Sequence, residues 1–182
     1  DRTSRKQGLE FIHHHMDWIS ASLAALPEKP VLAHGHDIMI EGNLVPILHE
    51  PTARRGTWLD DDGLHVSGDA EHTKRRVRDF LLKLAKDRLD TAVKRHSERM
   101  QLVPSRLDLR DVRTRWGSCT RQGRIMLSWR LLMTPVEIRD YVIIHEPAHL
   151  RHFDHGSAFW ALVDHFCSTG RPGRLAAKRC LR

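Results

Sequence analysis

The 182-residue chain predicts an α+β fold. An antiparallel β-rich N-terminal region joins a helix–sheet core with a motif-bearing helix at its centre. Two observations carry this. Short apolar runs separated by turn residues recur over 38–66 and again over 106–129, which is strand and hairpin patterning. Two longer stretches, 70–100 and 135–152, repeat their apolar residues at helical spacing instead.

In chain order, residues 9–25 place Leu9, Ile12, Met16, Ile19 and Leu23 at three- and four-residue steps, so an amphipathic helix is expected there. It closes before Pro27 and Pro30. His13, His14 and His15 lie inside it; consecutive helical positions splay around the axis, which predicts a solvated face and no shared metal. Ile38–Ile40 and Leu44–Leu48 flank Glu41-Gly42-Asn43, giving a first expected hairpin. Thr57–Leu59 and Leu64–Val66 flank Asp60-Asp61-Asp62-Gly63 and give a second. The three aspartates lack the ligand spacing of a calcium loop and read as a turn.

Residues 70–100 follow as a long basic helix with Val77, Phe80, Leu81, Leu84, Leu89 and Val93 on its apolar stripe. Lys74, Arg75, Arg76 and Arg78 near its start oppose the helix dipole. Arg106–Trp116 and Ile125–Trp129, around the turn 120–123, read as a third hairpin, with 124–130 as a sheet edge open to an extended peptide. A division at residue 103 separates the N-terminal region (1–103) from the motif-bearing region (104–182), both expected within one compact unit.

Composition sets the broad class. The formal net charge is +7, and 40% of residues are hydrophobic. That is enough for a real core, and the positive balance suits phosphates, nucleic acid or acidic surfaces. No window approaches the roughly 18 consecutive apolar residues that a membrane span needs, so no membrane partner is expected. Asp1 is followed by charged residues and no apolar signal segment. The three cysteines, Cys119, Cys167 and Cys180, are odd in number and form no C-x-x-C pair. Together these predict a reducing compartment, the cytoplasm.

The chemistry concentrates in Tyr141–His155, YVIIHEPAHLRHFDH. Thr134, Pro135 and Glu137 match a capping box with proline at the first helical position. A helix begun there carries His145 and His149 four residues apart on one face. Two imidazoles so placed can hold one tetrahedral cation, and Glu146 between them can reach a water without ligating. For a third ligand, His152 lies about 10 Å along the axis from His145 and cannot join both. His155 can join only if the helix ends first, and His165 is one helix later. His155 is the expected ligand, because Phe153-Asp154-His155-Gly156 breaks the helical period and Ser157 can cap a new helix carrying Phe159 and Trp160 behind the site. Trp116 and Cys119 read as packing residues, and Gly117 as a bulge or a close backbone approach.

The blocks TRWGSC (114–119), LSWRL (127–131), DYVIIHE (140–146), AHL (148–150), Asp154-His155 and Phe159-Trp160 resemble the YgjP-like metal-dependent hydrolases. These are bacterial zincin-like proteins related in their minimal core to the SprT and WLM metallopeptidases. The resemblance implies a zincin-like helix–sheet core. It also implies zinc on His145, His149 and His155, with Glu146 as general base. The family carries an aliphatic residue where this chain has Pro147. An interior proline removes a hydrogen bond to the Ile143 carbonyl, costs ~3 kcal/mol or more, and can displace His149 by a kink. The family also tends to serine where Gly156 stands.

The expected activity is therefore metal-dependent hydrolysis of a peptide or protein substrate with zinc as cofactor; manganese, nickel or cobalt suit the same donors. Two alternatives use the basic charge: a metal-dependent nucleotide or phosphoanhydride hydrolase, and a non-enzymatic nucleic-acid-associated module whose zinc is structural or lost.

Overall fold

The computed structural model describes residues 31–112, 114–167 and 170–181; the helix expected over 9–25, with its three histidines, lies outside them. Four strands come first: β1 (Asp37–Ile40), β2 (Asn43–Glu50), β3 (Thr57–Leu59) and β4 (Leu64–Ser67). They form one sheet in the order β1-β2-β4-β3. Both expected hairpins are present as antiparallel pairs, β1 with β2 and β3 with β4. The pairing that joins them is parallel, β2 to β4. The first turn uses Glu41 (φ 50°) and Gly42 (φ 84°). Gly42 is required by space as well as by φ: a Cβ there would lie 2.9 Å from the Pro135 Cα. In the second turn the Asp62 N–H donates to the Asp60 carboxylate at 3.1 Å. The aspartate run is thus a self-bonded turn.

The helix α1 (Thr73–Met100) buries Val77, Leu81, Ala85, Leu89 and Val93 at four-residue steps. Phe80 and Leu84, also expected on the stripe, pack at its margin. Of the basic residues at its start, Arg76 donates to the Ser67 carbonyl, so its charge ties the helix to the strand before it. Arg75 pairs with Asp79 at 3.4 Å and Arg78 with Asp111 at 3.7 Å.

A second sheet holds β5 (Arg106–Arg110), β6 (Gly117–Cys119) and β7 (Arg124–Ser128) in the order β5-β7-β6. Here the structure corrects the sequence reading. The stretch before Trp116 does not fold back on β7; β5 runs parallel to it, and the antiparallel hairpin is the short β6–β7 pair. Residues 124–128 are therefore central, with ladder partners on both sides, and the edge beside the motif helix belongs to β6. Trp129, expected on the strand, begins a 3-10 turn, Trp129–Met133.

Three helices complete the described chain: α2 (Val136–Ala148), α3 (Ser157–Phe166) and α4 (Gly170–Cys180). The core runs through both sheets and the inner faces of α1 and α2, with Ile47, Leu64, Leu81, Ile125, Leu127 and Ile143 among its fully buried side chains. Leu32–Arg182 form one compact unit. Buried His96 of α1 meets the Asp140 carboxylate of α2 at 3.0 Å, and Arg95 meets it at 2.7 Å. This ionic clasp fixes the helix that carries the motif. No helix among the described residues is long and apolar enough to cross a membrane.

Candidate metal centre

The helix α2 is buried on most sides: Tyr141, Val142, Ile143, Ile144, Glu146 and Ala148 are all buried, while His145 and His149 are half-buried. The expected capping box does not form. Pro135 occupies the N-cap, and the Thr134 hydroxyl donates to the Leu131 carbonyl at 2.9 Å. The preceding 3-10 turn competes for that hydroxyl and wins. Pro135 instead supplies its carbonyl to the Ile138 and Arg139 N–H groups, each at 3.0 Å.

The helix also ends earlier than its periodicity suggests, at Ala148 with His149 as C-cap. Its last turn tightens, with the Leu150 N–H donating to the Pro147 carbonyl at 2.9 Å. That early end brings His155 back. The next helix is capped at Gly156 without a side-chain hydrogen bond, so Ser157 does not cap it.

The three imidazoles converge. One ligand atom from each of His145, His149 and His155 lies within 4.8 Å of the others, and the Nε2 atoms of His145 and His155 are 3.2 Å apart. Around a tetrahedral ion with metal–nitrogen bonds of ~2.0–2.1 Å, neighbouring nitrogens sit ~3.3 Å apart. One pair already has that spacing. Pro147 does not separate the helical pair, whose ring centroids are 5.0 Å apart. His165 lies outside the cluster, in edge contact with Phe166.

The surroundings favour the neutral form of His145 and of His149. Burial, reinforced by the nearby His149, His155 and Lys178, pulls His145 down to about 3. Burial also lowers His149, although its hydrogen bond to the His152 carbonyl works the other way. The Nδ1–H of His149 donates to that carbonyl at 3.1 Å, and the Nδ1 of His145 lies 3.4 Å from the Tyr141 hydroxyl. A carbonyl only accepts, so the His149 bond fixes the tautomer that leaves its Nε2 free as a lone-pair donor. Phe159, fully buried, packs against all three rings with centroids at 4.9, 4.6 and 4.7 Å. Trp160 stacks on His155 at 5.4 Å. Imidazole nitrogens converging over an apolar floor form a donor set that fits a zinc-like cation.

Glu146 is 6% exposed, and burial pushes it up to about 7. Its carboxyl lies across β6 at Gly117, where an added Cβ would fall 2.5 Å from Oε1 and 2.7 Å from Cγ. The glycine is thus a close approach by a side chain rather than a bulge. Cys119 on the same strand is no nucleophile: burial, then the Glu146 charge, pushes its thiol up to about 11, leaving almost no thiolate at neutral pH.

A cavity of about 260 Å³ opens beside His145 and Glu146, walled by Trp116, Tyr141, Leu181 and Lys178. Spacing along the motif gives no signal for the last two, which arrive from the far end of the chain. Trp116 packs there as expected, and its indole N–H donates to the Leu181 carbonyl at 3.0 Å.

Comparison with known proteins places the chain in a family. The crystal structure of the metallopeptidase zymogen of Pyrococcus abyssi abylysin is similar at 21% identity and a TM-score of 0.45, covering 50% of this chain and 90% of that one. No curated protein sequence matches the chain. A family model described as YgjP-like, metallopeptidase domain matches residues 1–174, and the chain belongs to that family.

Proposed function

We propose that this protein is a zinc-dependent metallopeptidase in which His145, His149 and His155 hold the ion and Glu146 is the general base. The observation that carries this reading is the convergence of three imidazole donors within 4.8 Å beside a buried carboxyl. Zinc held there supplies a Lewis acid that polarises a substrate carbonyl and acidifies water.

The chain's own groups do the rest. Glu146 takes a proton from the attacking water and delivers it to the leaving amine. Its carboxyl must be ionised to begin, and burial alone would hold it half-protonated near pH 7. A neighbouring cation favours the ionised form, so the acidic limb of the rate profile falls at or below that pH. Tyr141 holds His145 through Nδ1, and His149 is held by the His152 carbonyl. Phe159 and Trp160 exclude water from beneath the imidazoles. The strand β6 is an edge of its sheet, and edge strands accept extended peptides through main-chain hydrogen bonds. A peptide paired there would run beside Glu146, which crosses Gly117.

Two variants test the assignment. E146Q is expected to keep bound zinc, measured by elemental analysis, while losing hydrolysis of unstructured protein substrates. H155A is expected to lose the metal. A protein that hydrolyses nucleotides and no peptide, or that keeps full peptidase activity as E146Q, overturns the proposal.

A further inference from the structure

One charged group at the site has no task in this scheme. Lys178 of α4 lines the cavity beside His145 and Glu146. Its ammonium sits 4.3 Å from the centre of the Trp160 ring, and no carboxylate pairs with it among the described residues. The contrast is Arg174, one turn earlier. That guanidinium also lies over Trp160, at 4.4 Å, but it is 8% exposed and forks onto the Asp164 carboxylate through two hydrogen bonds. Arg174 is spent on structure, whereas Lys178 is exposed and its charge remains available.

The rest of the cavity cannot neutralise it. The indole N–H of Trp116 is committed to the Leu181 carbonyl, and the Tyr141 hydroxyl to His145. Both Lys178 and Glu146 line the cavity, yet among the described residues no salt bridge joins them, so the base and Lys178 are not an ion pair. The space, about 260 Å³, is below the roughly 300–1,000 Å³ of sites that enclose a drug-sized ligand. It suits one residue of a peptide, with largely apolar walls and a single exposed lysine in its lining.

We infer that Lys178 is a specificity-determining residue: its ammonium binds a carboxylate of the substrate residue seated in this cavity, beside the bond that is cut. The carboxylate is either the α-carboxylate of a chain terminus or the side chain of an aspartate or glutamate. This rests on the metallopeptidase reading of the site.

The test separates the two sources and separates this inference from that reading. The metal-free full chain is titrated calorimetrically at pH 8 with N-acetylleucine, N-acetylleucinamide and the α-amide of N-acetylglutamate. Water screens an ion pair to an exposed ammonium, so one of the two acids is expected to bind about two- to fivefold more tightly than the neutral amide at low salt. Which acid wins names the source. K178M is expected to erase the preference and K178R to keep it. In the zinc-loaded protein, K178M narrows the KM ratio between neutral and acidic peptides and leaves metal content intact. Equal binding of all three probes, or a preference that survives in K178M, overturns the inference. Peptide cleavage with no preference for a carboxylate overturns it while the peptidase reading stands. Carboxylate binding through Lys178 in a zinc-loaded protein that cleaves no peptide supports the site and overturns the peptidase reading.

Discussion

Two histidine clusters in this molecule are built for opposite charge states. In the first sheet, buried His65 lies between the carboxylates of Glu50 and Asp60, one on each ring nitrogen. Burial pulls its pKa down, but the two carboxylate hydrogen bonds and their charges outweigh burial, and the net shift is upward. Both nitrogens donate, which makes the ring an imidazolium. Trp58 stacks flat on it at 4.8 Å. Around His145, His149 and His155 the partners are instead one another, a phenyl ring, a hydroxyl and a carbonyl. Burial there has no carboxylate to oppose it, and His145 falls to about 3. The difference teaches that the neighbours, not the residue type, decide whether a histidine is a structural cation or a lone-pair donor. Only the second arrangement, among the described residues, brings three histidine donors within 4.8 Å of one another.

The largest expected effect lies with the Glu146 carboxyl beside the second cluster. Removing a general base slows a reaction by roughly 10²–10⁴-fold, so E146Q should lose that much in kcat at unchanged zinc content. The equivalent neutralisation beside His65, E50Q, should leave kcat alone. Equal losses from both would end the distinction between the clusters.

Next is the apolar floor. Phe159 is fully buried against the three rings, and F159A should destabilise the metal-free chain by about 3–5 kcal/mol. The rings would then face water, and zinc affinity should fall as well. Thermal melts with and without zinc measure both.

Gly117 sharpens the contrast further. G117A places a methyl where the Glu146 carboxyl now lies. The expected cost is about 1–3 kcal/mol of stability, with kcat reduced and metal content preserved. An unchanged kcat would mean that the position of the carboxyl across β6 is immaterial.

The smallest effect is the most diagnostic, because its sign differs between the clusters. His65, with its raised pKa, contributes stability that is complete below about pH 6.5, the unfolded value, and is lost as pH rises through its higher folded value. The lowered pKa values of His145 and His149 act the other way. Their contribution is present above about pH 6.5 and is lost on acidification toward the folded values. In metal-free protein, H65Q should flatten the alkaline side of the stability profile and H145Q the acid side. Denaturant midpoints from pH 5 to 8.5 read both slopes.

Much of the candidate site could be read locally. The four-residue step from His145 to His149, the intervening Glu146 and the break at Phe153-Asp154-His155 lie within eleven positions. Helix geometry turns that spacing into a shared face for His145 and His149, and the break after Ala148 lets His155 return to it. The two hairpins at 37–67 and the apolar stripe of α1 were legible for the same reason. Where two local signals competed, the sequence could not rank them. Thr134 can cap α2 or close the turn before it, and packing of Leu131 and Leu132 in the core favours the turn.

What the sequence by itself determined, then, is the α+β class, the motif helix and its ligand-bearing face, since period and spacing are properties of neighbouring residues. Only the tertiary structure decided that β2 joins β4 and β5 joins β7 in parallel, that the free edge at the site is β6, and that Lys178 and Leu181 reach the cavity. The physical reason is that strand register and side-chain protonation depend on which distant surfaces are buried together, and no short window of sequence contains that.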